Sequence, residues 1–132
     1  MAELKTRPTD ASAEAFLQAV PDPGRREDAL ALDGLLRRLT RESPVLWGDT
    51  LVGYGAVRLR YASGREVDWF RIGFSPRKAD LVLYLTPGLE RHAALLTRLG
   101  RHRLGKGCLY LKRLKDANPE VLDALLRATL EG

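Results

Sequence analysis

The chain has a single cysteine, Cys108, which excludes an internal disulfide. That usage fits a reducing compartment, so a cytoplasmic location is expected. No run reaches the ~18 to 20 uncharged apolar residues that a membrane-spanning helix needs, and no membrane partner is expected. Residues 1–9 hold no apolar stretch of the secretory kind and read as a flexible N-terminal segment ahead of one domain over residues 10–132. The two histidines, His92 and His102, stand at no close ligand spacing to each other or to Cys108. The serines lie in turns without the glycines of a nucleophile elbow. Carboxylates are scattered, and no pair has a setting for general acid and base work. Catalysis is left unsupported, and no cofactor is expected.

What is present begins with charge. The 132 residues carry a net +5, but its distribution is uneven. Arg98, Arg101, Arg103, Lys106, Lys112, Arg113 and Lys115 fall in one window without an acid; taking these seven away from +5 leaves the remainder at −2. A concentrated positive segment attracts phosphates, nucleic acid or an acidic partner. It also serves as an ordinary solvated loop, and charge alone does not separate the two.

Four apolar runs, at residues 54–61, 68–74, 81–85 and 108–112, alternate with period two and read as strands. One set of faces collects Val57, Leu59, Tyr61, Phe70, Ile72, Phe74, Leu81, Leu83, Leu85, Leu109 and Leu111, a core. The other collects Tyr54, Arg58, Arg60, Trp69, Arg71, Tyr84, Tyr110 and Lys112, aromatic rings among cations. Such a plate resembles the platforms on which bases stack while cations take the backbone. Two other accounts stand beside it: arginines resting on aromatic neighbours across a solvated sheet, and a face covered by a second subunit.

Helices are predicted from caps and spacing. Asp10 or Ser12 opens the first, with Ala13, Phe16, Leu17 and Val20 as its stripe. Asp22-Pro23 opens a second, running to about residue 42 with Leu32, Leu35, Leu36 and Leu39 on one face. A third covers residues 89–99, with Gly100 as a left-handed cap, and Asn118-Pro119-Glu120 opens the last. The order is α-α-β-β-β-α-β-α. Tight turns between strands predict an α+β fold, a largely antiparallel sheet with helices packed on one face.

The segment Gly100-Arg101-His102-Arg103-Leu104-Gly105-Lys106 matches seven positions of a P-loop, but Gly107 stands where Ser or Thr would bind magnesium. It also follows a helix and opens a strand, the reverse of a P-loop. Glycine amides with Arg101, Arg103 and Lys106 would still make an anion nest, the alternative being a plain helix-to-strand turn. Asp10 and Glu14, one turn apart, are weak candidates for a hard cation, though acids at a helix start ordinarily answer the dipole.

The motifs Trp47-Gly48, Val52-Gly53-Tyr54-Gly55, Tyr61-Ala62-Ser63-Gly64-Arg65-Glu66, Asp68-Trp69, Gly73-Phe74-Ser75-Pro76-Arg77-Lys78, Leu83-Tyr84 and Gly105-Lys106-Gly107-Cys108-Leu109-Tyr110 together resemble the YdhG-like family, a bacterial domain of unknown function. The resemblance implies a compact α+β domain. A distant branch is linked to frataxin-like iron chaperones, whose acidic ridge lies on the first helix; here only Asp10 and Glu14 match it, so iron is the alternative ligand. Gly107 and Phe70 depart from the family pattern, which has Ser and Pro there. The expected function is a non-enzymatic module for an anionic small molecule or nucleic acid. Its candidate residues are Tyr54, Arg58, Trp69, Arg71, Arg77, Lys78, Tyr84, Arg101, Arg103, Lys106, Tyr110 and Lys112. An iron chaperone or a homo-oligomeric interaction protein are the alternatives.

Overall fold

The computed structural model describes residues 8–60, 62–85, 92–105 and 108–131. The helices are α1 (Ala13–Gln18), α2 (Pro23–Thr40), α3 (Ala93–Leu99) and α4 (Pro119–Glu131). The strands are β1 (Pro44–Trp47), β2 (Leu51–Tyr54), β3 (Val57–Arg60), β4 (Glu66–Trp69), β5 (Ile72–Pro76), β6 (Leu81–Tyr84), β7 (Arg103–Gly105) and β8 (Cys108–Leu111). Six of them form one antiparallel sheet in the order β1-β2-β5-β6-β8-β7, and β3 pairs with β4 as a separate ribbon. The class is α+β.

Local chemistry sets the helix ends. Ser12 Oγ accepts from the Ala15 amide (3.0 Å), and Asp22 Oδ2 from the Arg25 amide (2.7 Å) with Pro23 at the first helical position. Asn118 Oδ1 accepts from the Glu120 and Val121 amides (3.0 and 3.2 Å). Each bond satisfies donors that a helix start leaves open. Helix α2 stops at Thr40, short of residue 42, because Arg41 turns left-handed at φ 60°. Gly100 ends α3 at φ 115° and ψ −162°, an extended mirror-side conformation rather than the left-handed helical cap expected. The first part of the predicted third helix lies outside the described residues.

All four helices bury their apolar stripes on one sheet face. Leu17, Leu32, Leu36, Leu99, Val121 and Leu125 meet Val52, Ile72, Phe74, Leu83 and Leu109 there. Burying each such side chain is worth about 1.5 to 3 kcal/mol, so this layer is the main driving force of the fold. Pro8 bridges to Trp47, and Thr9 donates its amide and its hydroxyl to the Leu46 carbonyl (2.9 Å each). These two residues are thus tied to the sheet edge, where a flexible segment was expected.

The strands predicted at 54–61 and 68–74 are both interrupted, at facing points. Gly55 takes φ +75°, and Phe70 and Arg71 separate β4 from β5. The Arg71 amide donates to the Tyr54 carbonyl across the interruption (3.1 Å). The chain leaves the sheet there, runs out as the β3–β4 ribbon, reverses through a turn with Gly64 at φ +90°, and returns. A period-two count assumes an unbroken pleat, and a break resets which face a side chain takes. Three core assignments change for that reason. Val57 and Leu59 are half-buried on the ribbon, outside the main core. Phe70 is buried, but on the face away from the helices. Tyr61 lies outside the described residues.

Tyr54 moves the opposite way. It was expected on the aromatic plate and is fully buried on the helix side. Its hydroxyl donates to Asp33 Oδ1 on α2 (2.5 Å), and Asp33 also accepts from Arg37 Nε (3.0 and 3.1 Å). Burial pushes the phenol far above its ordinary pKa, and the Asp33 bond and charge add to that. Tyr54→Phe keeps the ring and removes one charge-assisted bond. It should cost about 1.5 to 2 kcal/mol, read as a lower urea midpoint with an unchanged m-value.

Candidate functional site

The face away from the helices has two neighbouring parts. The first is aromatic and glycine-floored. Gly53 and Gly73 pair across β2 and β5, and a Cβ on either would stand 2.7 to 2.8 Å from the Phe70 ring. Their bare backbones let that ring lie on the sheet. Trp69 stacks on Phe70 (4.3 Å, 28°), Trp47 meets both rings edge-on (5.6 and 5.5 Å), and Tyr84 meets Phe70 edge-on (6.2 Å). Trp69, expected as an open stacking surface, is instead half-buried in this cluster.

The second part is polar and centred on β6 and β8. Register places Tyr84 opposite Cys108, Val82 opposite Tyr110 and Ser75, and Arg103 opposite Tyr110. Alternation with the core residues Leu83 and Leu109 puts Tyr84, Cys108 and Tyr110 on one surface. Arg77 donates to the Tyr84 hydroxyl (2.6 Å), and the Arg103 guanidinium lies 4.5 Å from the Tyr110 ring centroid. Gly105 leaves room for that ring, since a Cβ there would sit 2.8 Å from Tyr110 Cε1.

At the end of this surface, Arg103 and Lys112 both reach the buried Asp80 carboxylate (3.4 and 3.6 Å). Arg77 and Lys78 adjoin it and have no carboxylate partner among the described residues. Burial raises the pKa of the Tyr84 phenol, and the Arg77 charge and hydrogen bond oppose it. Burial likewise raises the Cys108 thiol, opposed by a Tyr110 hydrogen bond and the Arg77 charge. Both groups are therefore protonated at neutral pH. The surface presents hydroxyls and cations, the chemistry that receives an oxyanion, and it holds no thiolate nucleophile.

Of the residues anticipated from sequence, Arg77, Lys78, Tyr84, Arg103, Tyr110 and Lys112 come together here. Arg101 is exposed on the bend just before β7, at the same end of the sheet. Lys106 lies outside the described residues. Arg58 is elsewhere, on the ribbon, paired with Asp68 (3.0 Å) and Glu66 (3.5 Å). Arg71 lies over Gly55, with its guanidinium 3.5 Å from the Leu130 carbonyl. Of the glycine segment, Arg103 to Gly105 are a strand paired with β8, and Lys106 and Gly107 lie outside the described residues. Sequence reasoning missed Ser75, Asp80 and Cys108 as parts of this surface. Gly73-Phe74-Ser75 did hold a signal, because small residues alternating with a large one mark a strand with something lying against its second face.

Glu14 pairs with Arg37 (3.5 Å) and Asp10 is exposed. Among the described residues, no three His, Cys, Asp or Glu side chains gather as a metal site, and no helix is long and apolar enough to cross a membrane. No protein-family model matches the chain, and neither a curated protein nor a solved structure matches it.

Proposed function

We propose that the surface around Arg77, Tyr84, Tyr110 and Arg103 binds a small anionic ligand, and that the protein is a cytoplasmic binding module rather than an enzyme. The observation that carries this reading is the charge imbalance at one end of the sheet. Arg103 and Lys112 share a single carboxylate, Asp80, while Arg77 and Lys78, close by in the chain, have no carboxylate partner among the described residues. A phosphoryl or carboxylate group would meet Arg77 and Arg103, and an attached planar body would rest against the Tyr84 and Tyr110 rings. The geometry favours a compact ligand over a single-stranded nucleic acid. A strand needs a row of accessible rings, whereas Tyr54 is in the core and Trp69 packs against Trp47 and Phe70.

Calorimetric titration with phenyl phosphate at low ionic strength tests the reading. Binding is expected, weakening as salt is added. Arg77→Ala and Arg103→Ala should each loosen it about tenfold, the worth of one hydrogen bond to a charged group. Absence of heat at low salt, or unaltered affinity in both variants, would reject the site. An oligothymidylate that binds with a steep salt slope while phenyl phosphate does not would transfer the function to nucleic acid.

A further inference from the structure

Ser75 is the one residue of this surface whose state the packing leaves unexplained. It is 1% exposed, and its hydroxyl has no hydrogen-bond partner among the described residues. An unsatisfied buried hydroxyl costs about 1 to 3 kcal/mol, so a strand position that alanine or valine would fill is occupied at a loss. Register shows what lies over it. Ser75 faces Val82 across β5 and β6, while Tyr84 belongs to the next row of the same face, opposite Gly73. Arg77 begins just past the end of β5, on the far side of the Ser75–Val82 row, and reaches Tyr84 with a 2.6 Å hydrogen bond. The Arg77–Tyr84 bridge therefore spans the row that contains the idle hydroxyl.

Arg77 is exposed and has no carboxylate partner among the described residues, and its guanidinium bonds instead to a neutral phenol. A phenol oxygen is a poor substitute for an oxyanion on a guanidinium. We propose that the Tyr84 hydroxyl is an internal stand-in for the ligand: an oxyanion displaces it from Arg77, the bridge opens, and Ser75 donates its hydroxyl to the bound anion. This rests on the anion-binding reading above and adds two things to it. The ligand's head is a single oxyanion seated deeply enough to meet β5, and the free protein holds that seat shut. Opening costs little, because one neutral bond is exchanged for a charged one. The exchange favours ligands that satisfy both Arg77 and Ser75 over diffuse counter-ions that satisfy only the charge.

The test is phenyl phosphate and benzoate titrated against the full chain, its Tyr84→Phe variant and its Ser75→Ala variant, each also melted without ligand. Tyr84→Phe keeps the ring and removes the competitor, so affinity should rise about three- to tenfold, since the tax of a closed state disappears. Ser75→Ala should weaken binding about tenfold and yet raise the melting temperature of the free protein by about 3 °C, because an idle buried hydroxyl is gone. A phosphoryl head should gain more from Ser75 than a carboxylate, having a third oxygen to offer, and the ratio of the two ligands in wild type and Ser75→Ala reads this out. Weaker binding in Tyr84→Phe would overturn the stand-in role while leaving the anion site intact. Unchanged affinity in Ser75→Ala would overturn the part given to that hydroxyl. Binding by none of the three proteins would overturn the site itself and this inference with it.

Discussion

Phe70→Ala is expected to lower stability by about 3 to 5 kcal/mol, the loss seen when a fully buried aromatic side chain is cut back. Phe70 is 1% exposed although it lies on the sheet face away from the helices. Its ring fills the hollow above Gly53 and Gly73 and carries Trp47, Trp69 and Tyr84 around it. The two tryptophans are the only ones in the chain, so their fluorescence reports the loss directly. A second substitution makes the argument specific. Gly53→Ala alone places a methyl 2.8 Å from Phe70 atoms and should cost about 1 to 3 kcal/mol through overpacking. In the Phe70→Ala background the contacts with Cγ and Cδ2 are gone and only the one with Cβ stays, so Gly53→Ala should cost clearly less than it does alone. Strict additivity of the two changes in a urea double-mutant cycle would show that the ring does not rest on Gly53.

Asp28 carries the second large expectation. Its carboxylate, buried on α2, accepts from Arg113 Nε (2.7 Å) and from the Leu114 amide (3.0 Å), stitching that helix to the segment between β8 and α4. Arg25 donates to the Lys112 carbonyl (2.8 Å) beside it. Asp28→Ala should cost about 2 to 3 kcal/mol, less than a fully enclosed pair because solvent reaches Arg113. Burial by itself would raise the Asp28 pKa. The Arg113 hydrogen bond, the Leu114 amide and the charges of Arg113 and Arg25 outweigh it, and the carboxyl sits below its ordinary value. A folded pKa below the unfolded value of about 3.9 stabilises the native state above that pH, and the contribution fades as pH falls through the folded value. Asp28→Asn should therefore be less stable than wild type at pH 7, with the gap narrowing in acid. A gap constant from pH 7 to pH 2.5 would contradict the ionic role.

How much of this was legible beforehand differs from element to element. Ser12 (expected beside Asp10 as a cap), Asp22-Pro23 and Asn118-Pro119 mark their helices because capping is settled within four residues. Leu81, Leu83, Leu109 and Leu111 face the core as their alternation says, because β6 and β8 are unbroken. Arg77, Arg103 and Lys112 were named as candidates from sequence, and the fold brings Arg103 and Lys112 to Asp80 and Arg77 to Tyr84. Tyr54 and Phe70 went to the wrong faces. The interruption at Gly55 and Arg71 is a joint event of two strands, stabilised by a bond between them, and neither strand's own spacing contains it.

The amino-acid order alone determined where helices begin, which residues of the unbroken strands turn inward, and that positive charge is concentrated near the last strand, since these depend on neighbours along the chain. Only the tertiary structure decided that Phe70 roofs a glycine floor, that Tyr54 leaves the surface to bind Asp33, and that the Ser75 hydroxyl is buried without a partner among the described residues. Those outcomes depend on which strands pair and where the ribbon peels away, and the spacing along any single strand does not contain that.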